Sequence, residues 1–216
     1  MSWETETYRN RDFWIKENRQ YARPNFRLRK CARLIRELTA GKSCDLLDLG
    51  CGPAALRGLL PPSISYYGID LAIHEPAPYL HELDFVRNPI AFDDRQFDVV
   101  VALGVFEYMG GCEAKKLREI ASLLTRDGHF IMSYINFRHI LRRIYPAYNN
   151  IRSVADQMKA LREVFEVERF FPVSHHWRHK QPGARALPSI QMQLDWNIPG
   201  VSPWLAVEYF FVCSRR

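Results

Sequence analysis

No stretch of this 216-residue chain approaches the roughly 18 consecutive apolar residues of a membrane-crossing helix. The longest apolar run, Val99 to Phe106, suits a buried strand. No apolar leader of the secretory type is read at the start, where Trp3, Glu4 and Glu6 stand. Cysteine is sparse and odd in number, five residues without the spacing of a disulfide framework or a zinc site. These absences disfavour an integral membrane protein, a stapled secreted domain and a metal centre, and leave a reducing cytoplasm as the expected compartment. No internal repeat is visible either, so one domain with subordinate caps is the natural reading.

The charge that is present is unevenly spread. The formal net charge is +6, yet residues 41 to 134 hold eight Lys/Arg against thirteen Asp/Glu. Residues 1 to 40 hold ten against five, and residues 135 to 216 twelve against six. An acidic middle between basic flanks can meet nucleic acid, anionic lipid or an anionic small molecule, and charge alone does not choose among them.

The middle is built around residues 45 to 70, DLLDLGCGPAALRGLLPPSISYYGID. A short apolar run to Leu49 enters Gly50-Cys51-Gly52, and a second ends at Gly68-Ile69-Asp70. This reads as strand, glycine turn, short helix (54 to 60) stopped by Pro61-Pro62, strand, acid. Further strands are expected at 80 to 83, 97 to 103, 129 to 134, 166 to 170 and 206 to 213. Leu28, Cys31, Ile35 and Leu38 share one face of a helix over 26 to 38, capped by Asn25, with Arg27, Arg29, Lys30, Arg33 and Arg36 largely on the other side. That helix is expected to pack on the sheet, with a membrane-surface role as the alternative. Helices are also expected at 113 to 124 and 154 to 164. Together these give an α/β fold, a mostly parallel Rossmann-like sheet with helices on both faces. Two stretches interrupt the rhythm: 135 to 150, and 171 to 205, the latter with five prolines and three tryptophans. Both read as caps over the sheet's carboxyl edge.

Several residues are placed to carry chemistry. Gly50 and Gly52 would let a ligand approach the backbone beside Asp48 and Cys51. A helix start after them would offer free N–H groups to a phosphate or a carboxylate. Asp70, with Leu71 after it, suits two ribose hydroxyls. Asp84, followed by Phe85, could hold an exocyclic amine beside an aromatic wall. Leu103 and Gly104 end the central strand where a reacting atom would lie. Glu107 and Tyr108 follow, as candidate base and candidate wall. His175 and His176 are candidate general bases in SHHWRHK. Tyr134, His139, Arg142, Tyr145, Tyr148 and Trp177 form the candidate acceptor surface. For the histidines, packing is the competing reading.

In their order, DLLDLGCGPA, YYGID, ELDF, FDVVVALGVFEYM and LTRDGHFIMSY resemble the class I S-adenosylmethionine-dependent methyltransferases. The resemblance covers residues 42 to 134 well and 164 to 213 more loosely. It implies a seven-stranded sheet with an antiparallel last strand and S-adenosyl-L-methionine as cofactor. It also implies that Asp48, Gly50 and Gly52 line the methionine part, Asp70 takes the ribose, Asp84 and Phe85 flank adenine, and backbone near Leu103 and Gly104 meets the amino-acid end. Residues 1 to 40, with Tyr8, Phe13 or Trp14, resemble an N-terminal helical lid on a domain spanning 41 to 216. Ala54 stands where a third glycine is common, and the link between Asp70 and Asp84 is short. Glu107-Tyr108 replaces the Glu-His of many small-molecule enzymes. The tetrad of amino-methylating DNA enzymes is absent, as is the cysteine context of cytosine C5 enzymes.

The expected activity is methyl transfer to an oxygen or nitrogen of a small metabolite, with the basic flanks making an anionic one attractive. The alternatives are an RNA or protein acceptor and a non-catalytic cofactor-binding scaffold. A nicotinamide dehydrogenase is disfavoured by the two-glycine turn and the short second connection.

Overall fold

A computed structural model describes residues 11–18, 22–90, 92, 95–139, 148–176, 191–192, 194 and 196–216. Its centre is a sheet in the order β3-β2-β1-β4-β5-β8-β6-β7. The strands are β1 Cys44–Leu49, β2 Ile64–Asp70, β3 Leu80–Glu82, β4 Phe97–Leu103, β5 Leu124–Ile135, β6 Phe165–His176, β7 Gln191–Met192 and β8 Ala206–Arg215. β1 to β5 are parallel, whereas β8 runs antiparallel between β5 and β6. The expected seven-stranded sheet is therefore present, with a two-residue β7 added at its edge. Strand order reverses between β1 and β4, the place where an open α/β sheet forms a crevice at its carboxyl edge.

The helices are α1 Arg11–Asn18, α2 Phe26–Thr39, α3 Glu113–Leu123, α4 Val154–Arg162 and the short α5 Ser202–Leu205. Asn25 caps α2 by accepting from Leu28 N, and Ala40 and Gly41 leave it in the left-handed region. Cys31, Ala32, Leu34 and Ile35 of α2 are buried in one core, which includes Val99, Val101, Phe210 and Val212. The opposite core gathers Val100 and Phe130 with Leu117 and Ile120 of α3 and Leu161 of α4. Successive β4 residues thus point to alternate cores, which is why that strand is apolar from Val99 onward. The helix over 26 to 38 lies on the sheet, as its spacing suggested. Among the described residues, no helix is long and apolar enough to cross a membrane.

Three local expectations are corrected. The helix expected at 54 to 60 is only a 3₁₀ turn, Arg57–Leu59, because Ala54 turns left-handed (φ 54°) and Pro61-Pro62 stops the chain. β6 runs on to His176, so the first part of the 171 to 205 stretch is strand. Register shifts near Pro172/Ser174 break the alternation there and hide the continuation in the sequence. Lys30 is not on the solvent side of α2. It is buried, donating through Nζ to the carbonyls of Pro172 and Val173 at 3.1 and 2.9 Å beside the Phe171 ring.

Candidate active site

A cleft opens at the switch point, and its floor is the turn after β1. Gly50 has φ 72°, and a Cβ there would lie 2.5 Å from Val105 Cγ2, so only glycine fits. Gly50 N and Cys51 N both donate to Ile69 O, at 2.8 and 3.1 Å. Gly52 N donates to Asp70 Oδ2 at 2.7 Å, and Ala72 N donates to Oδ1 at 3.1 Å. With its helix shrunk to a 3₁₀ turn, this stretch offers no helix start to an anion. Its amides are used within the protein instead: those of Gly50 and Cys51 hold the Ile69 carbonyl, and that of Gly52 holds Asp70.

Asp48 is the penultimate residue of β1, just before the turn. It is buried and accepts a 2.7 Å hydrogen bond from the Tyr66 hydroxyl. Burial pushes its carboxyl up to about 7, with the Tyr66 bond pulling the other way. Cys51 is buried, and burial carries its thiol well above the ordinary range. Asp84 and Phe85 reach the same cleft from the segment after β3, and Leu103 and Gly104 from the end of β4. The expected cofactor residues Asp48, Gly50, Cys51, Gly52, Asp70, Leu71, Asp84, Phe85, Leu103 and Gly104 therefore all line one crevice.

The acceptor and catalytic candidates divide. Tyr108 and Tyr148 line the cleft, with ring centroids 5.4 Å apart. Tyr134 does not. It is buried, and its hydroxyl donates to Asn150 O at 2.6 Å and accepts from Arg152 N at 3.0 Å. Glu107 is buried behind the cleft, where Oε1 accepts from Ile135 N at 2.8 Å. Burial first, then the charge of Glu208, raises its carboxyl to about 7. His175 is buried at the β6 end with Nε2 2.7 Å from Ser202 Oγ, which itself accepts from Ile198 N at 2.7 Å. Its pKa is lowered by burial and then by Lys30. His139 is buried outside the cleft lining. Tyr134, Glu107, His139 and His175 are thus buried in the protein and do not line the cleft, a placement that the one-dimensional pattern could not show. Arg142, Tyr145 and Trp177 lie outside the described residues, as does the side chain of His176.

Two cleft residues escaped the sequence reading or were read differently there. Arg27, expected on the solvent face of α2, enters the cleft and pairs through Nη1 with Glu208 Oε1 at 2.9 Å. A Cβ on Gly104, whose φ is 68°, would sit 2.6 Å from that same nitrogen. The only forward hint was position: Arg27 is the second residue of a helix whose start faces the carboxyl edge. Trp14, anticipated as a lid aromatic, packs edge-on against Tyr108 with centroids 5.6 Å apart. Arg11 ties α1 to β3 through Glu82 at 2.8 Å.

The sheet and crevice define an α/β enzyme with a nucleoside-type cleft at its switch point. The family described as Methyltransferase domain matches residues 19–179, and the chain belongs to it as a class I S-adenosylmethionine-dependent methyltransferase. Its cofactor is S-adenosyl-L-methionine. No curated protein sequence matches the chain significantly. Among solved structures, the CcbJ methyltransferase from Streptomyces caelestis is similar over 89% of this chain and 90% of its own (TM-score 0.62, 12% identity). An S-adenosylmethionine-dependent methyltransferase from Clostridium acetobutylicum matches over 85% and 90% (TM-score 0.59, 13% identity). The N-methyltransferase NodS from Bradyrhizobium japonicum, in complex with S-adenosyl-L-homocysteine, matches over 86% and 85% (TM-score 0.54, 12% identity). At these identities the likeness is one of fold.

Proposed function

We propose that this methyltransferase acts on an oxygen or nitrogen of a small metabolite. The observation that carries the reading is the contact between Trp14 of α1 and Tyr108, which follows β4: both line the cleft and their rings meet edge-on, so its wall beside the end of β4 is built from side chains of this chain. A polymer acceptor favours an open groove, and a small molecule suits a cleft walled in this way.

The cleft's chemistry suits the cofactor. Three aspartates line it against one arginine, and that arginine is paired with Glu208. Such a lining favours a ligand carrying a sulfonium, an ammonium, a ribose diol and an exocyclic amine. Bound there, S-adenosylmethionine supplies a methyl group already activated on sulfur. In our reading Asp70, locked by Gly52 N and Ala72 N, receives the ribose hydroxyls. Asp84 and Phe85 flank the adenine. Asp48, the Gly50–Gly52 turn and the backbone of Leu103 and Gly104 line the methionine end. Tyr108 and Tyr148 wall the acceptor side, and α1 serves as a lid that excludes water.

Calorimetric titration with S-adenosylmethionine, with NAD as the comparison, tests the donor site. Micromolar binding of the first alone is expected, and failure of folded protein to bind it overturns the reading. Transfer of radiolabelled methyl to extracts divided into small molecules, RNA and protein then tests the acceptor. Label confined to RNA or protein would assign the enzyme to the alternative class.

A further inference from the structure

Resting on that reading, we propose that the acceptor is an amine, whose nitrogen is received in a corner formed by the rings of Trp14, Tyr108 and Tyr148. All three line the cleft. They are turned against one another, Trp14 at 90° to Tyr108 and Tyr108 at 55° to Tyr148. Phe13 backs Trp14 and Phe137 backs Tyr148, at centroid separations of 5.3 and 5.5 Å. Rings set this way present differently oriented aromatic surfaces to the one cleft they line. A flat aromatic acceptor would call for two parallel walls, which this corner does not have. Ring faces carry negative potential and attract a cation positioned over them.

The corner lies on the correct flank. The strand order places Asp70 and the Asp84 segment on the β2–β3 side of the switch point, and Tyr108 and Ile135 on the β4–β5 side. A donor nucleoside on the first flank leaves the second for the acceptor. The ionisable groups also favour nitrogen. Among the described residues lining the cleft there is no lysine or histidine, and three aspartates face the single paired Arg27. The aspartates suit the donor's own positive charges, and the described lining on the acceptor flank, with Tyr108, Ile135 and Tyr148, is aromatic or apolar.

The chemistry separates amine from alcohol. Once the incoming ammonium has released a proton to water, its nitrogen lone pair forms the new N–C bond while the S–C bonding pair returns to sulfur. Positive charge passes from sulfur to nitrogen, and the product ammonium later releases its N–H proton to water. No base is needed while the bond forms, and rings around the nitrogen stabilise charge that grows only toward the transition state. A hydroxyl acceptor would need a base to take its proton during attack. Of the bases that sequence reading offered for that task, Glu107 and His175 are buried and neither lines the cleft, while the side chain of His176 lies outside the described residues.

The test uses the whole chain saturated with S-adenosylhomocysteine, titrated calorimetrically with tetramethylammonium as a mimic of the product cation. Neopentyl alcohol is the neutral isostere and acetate the anion. Tetramethylammonium is expected to bind about tenfold tighter than either. Trp14→Leu and Tyr148→Leu should each weaken it about fivefold, while Tyr108→Phe retains it and affinity for S-adenosylhomocysteine stays within about threefold. Trp14 sits on a peripheral helix, so its variant tests the corner even where Tyr148→Leu unfolds. Equal binding of the alcohol, or binding indifferent to both leucine variants, overturns the amine assignment alone. Absence of S-adenosylhomocysteine binding to folded protein overturns the donor site as well, so the two failures are told apart.

Discussion

Asp48 shows how one side chain can couple the cleft to pH. Its carboxyl is buried beside Tyr66 and titrates near about 7. A neutral Asp48 offers little to a cationic ligand, whereas the ionised form attracts one. Binding of S-adenosylmethionine should therefore tighten as pH rises through 7, by about tenfold between about pH 6 and 8. Calorimetry across that range checks the slope, and Asp48→Asn should flatten it. A second residue-scale prediction concerns Gly104. Its left-handed φ of 68° and the Arg27 nitrogen 2.6 Å from a built Cβ mean that Gly104→Ala strains the backbone and displaces the guanidinium from Glu208. A loss of about 1–3 kcal/mol in urea unfolding is expected. Arg27→Ala alone should not reproduce the backbone part of it.

At the scale of elements, the chain around Tyr148 is held by a buried polar clasp. Glu113, first residue of α3, is buried and meets Arg152 Nη1 at 2.8 Å, Asn150 Nδ2 at 3.1 Å and Gln157 Nε2. Asn149 N and Asn150 N donate to Glu107 O, at 3.0 and 3.1 Å. One carboxylate thus joins α3, α4 and the segment that carries Tyr148 to the end of β4. Glu113→Ala would leave Gln157 Nε2 buried without this acceptor and release Arg152 and one of the two Asn150 Nδ2 bonds, and a loss of about 1–3 kcal/mol is expected. Hydrogen exchange should rise first over residues 148–152, and uniform exchange there would count against the clasp.

The clasp also shows where sequence reading stops. Strand-turn-acid patterns around Asp48, Asp70 and Asp84 were legible because each depends on neighbours a few residues away. So were the caps of α2 and the apolar run of β4. Glu107 read as a candidate base because its position after β4 was visible, whereas its partner Ile135 N comes from the next strand. Lys30 and Arg27 looked like surface charges on a helical wheel, which shows periodicity but not the carbonyls of Pro172 and Val173 or the carboxylate of Glu208. Contacts between residues more than a hundred positions apart leave no mark in local spacing. The alternation of β6 announced the strand over 166 to 170, and the bulges near Pro172 and Ser174 hid its continuation to His176.

For the whole molecule, both cores bury groups that titrate near neutrality, so stability carries a pH signature. Asp48 is raised from an ordinary 3.8, and Glu107 from 4.5, each to about 7 and each mainly by burial. Between their unfolded and folded values the native state holds protons that the unfolded chain has released. Stability from these two groups is full below the unfolded values and falls as pH climbs through about 7. His175 acts in the opposite sense: its imidazole is lowered from 6.5, so its contribution is lost as pH falls through that region. Two carboxyls oppose one imidazole, and the carboxyls should prevail. The unliganded protein is expected to lose Tm as pH is raised from about 5 to 7.5 at constant ionic strength. In the Asp48→Asn, Glu107→Gln double variant only His175 remains of the three, and the slope should vanish or turn upward. A wild-type Tm that rises across the window would show that neither carboxyl is held protonated by its core. It would also remove the basis for the pH-dependent cofactor binding expected of Asp48.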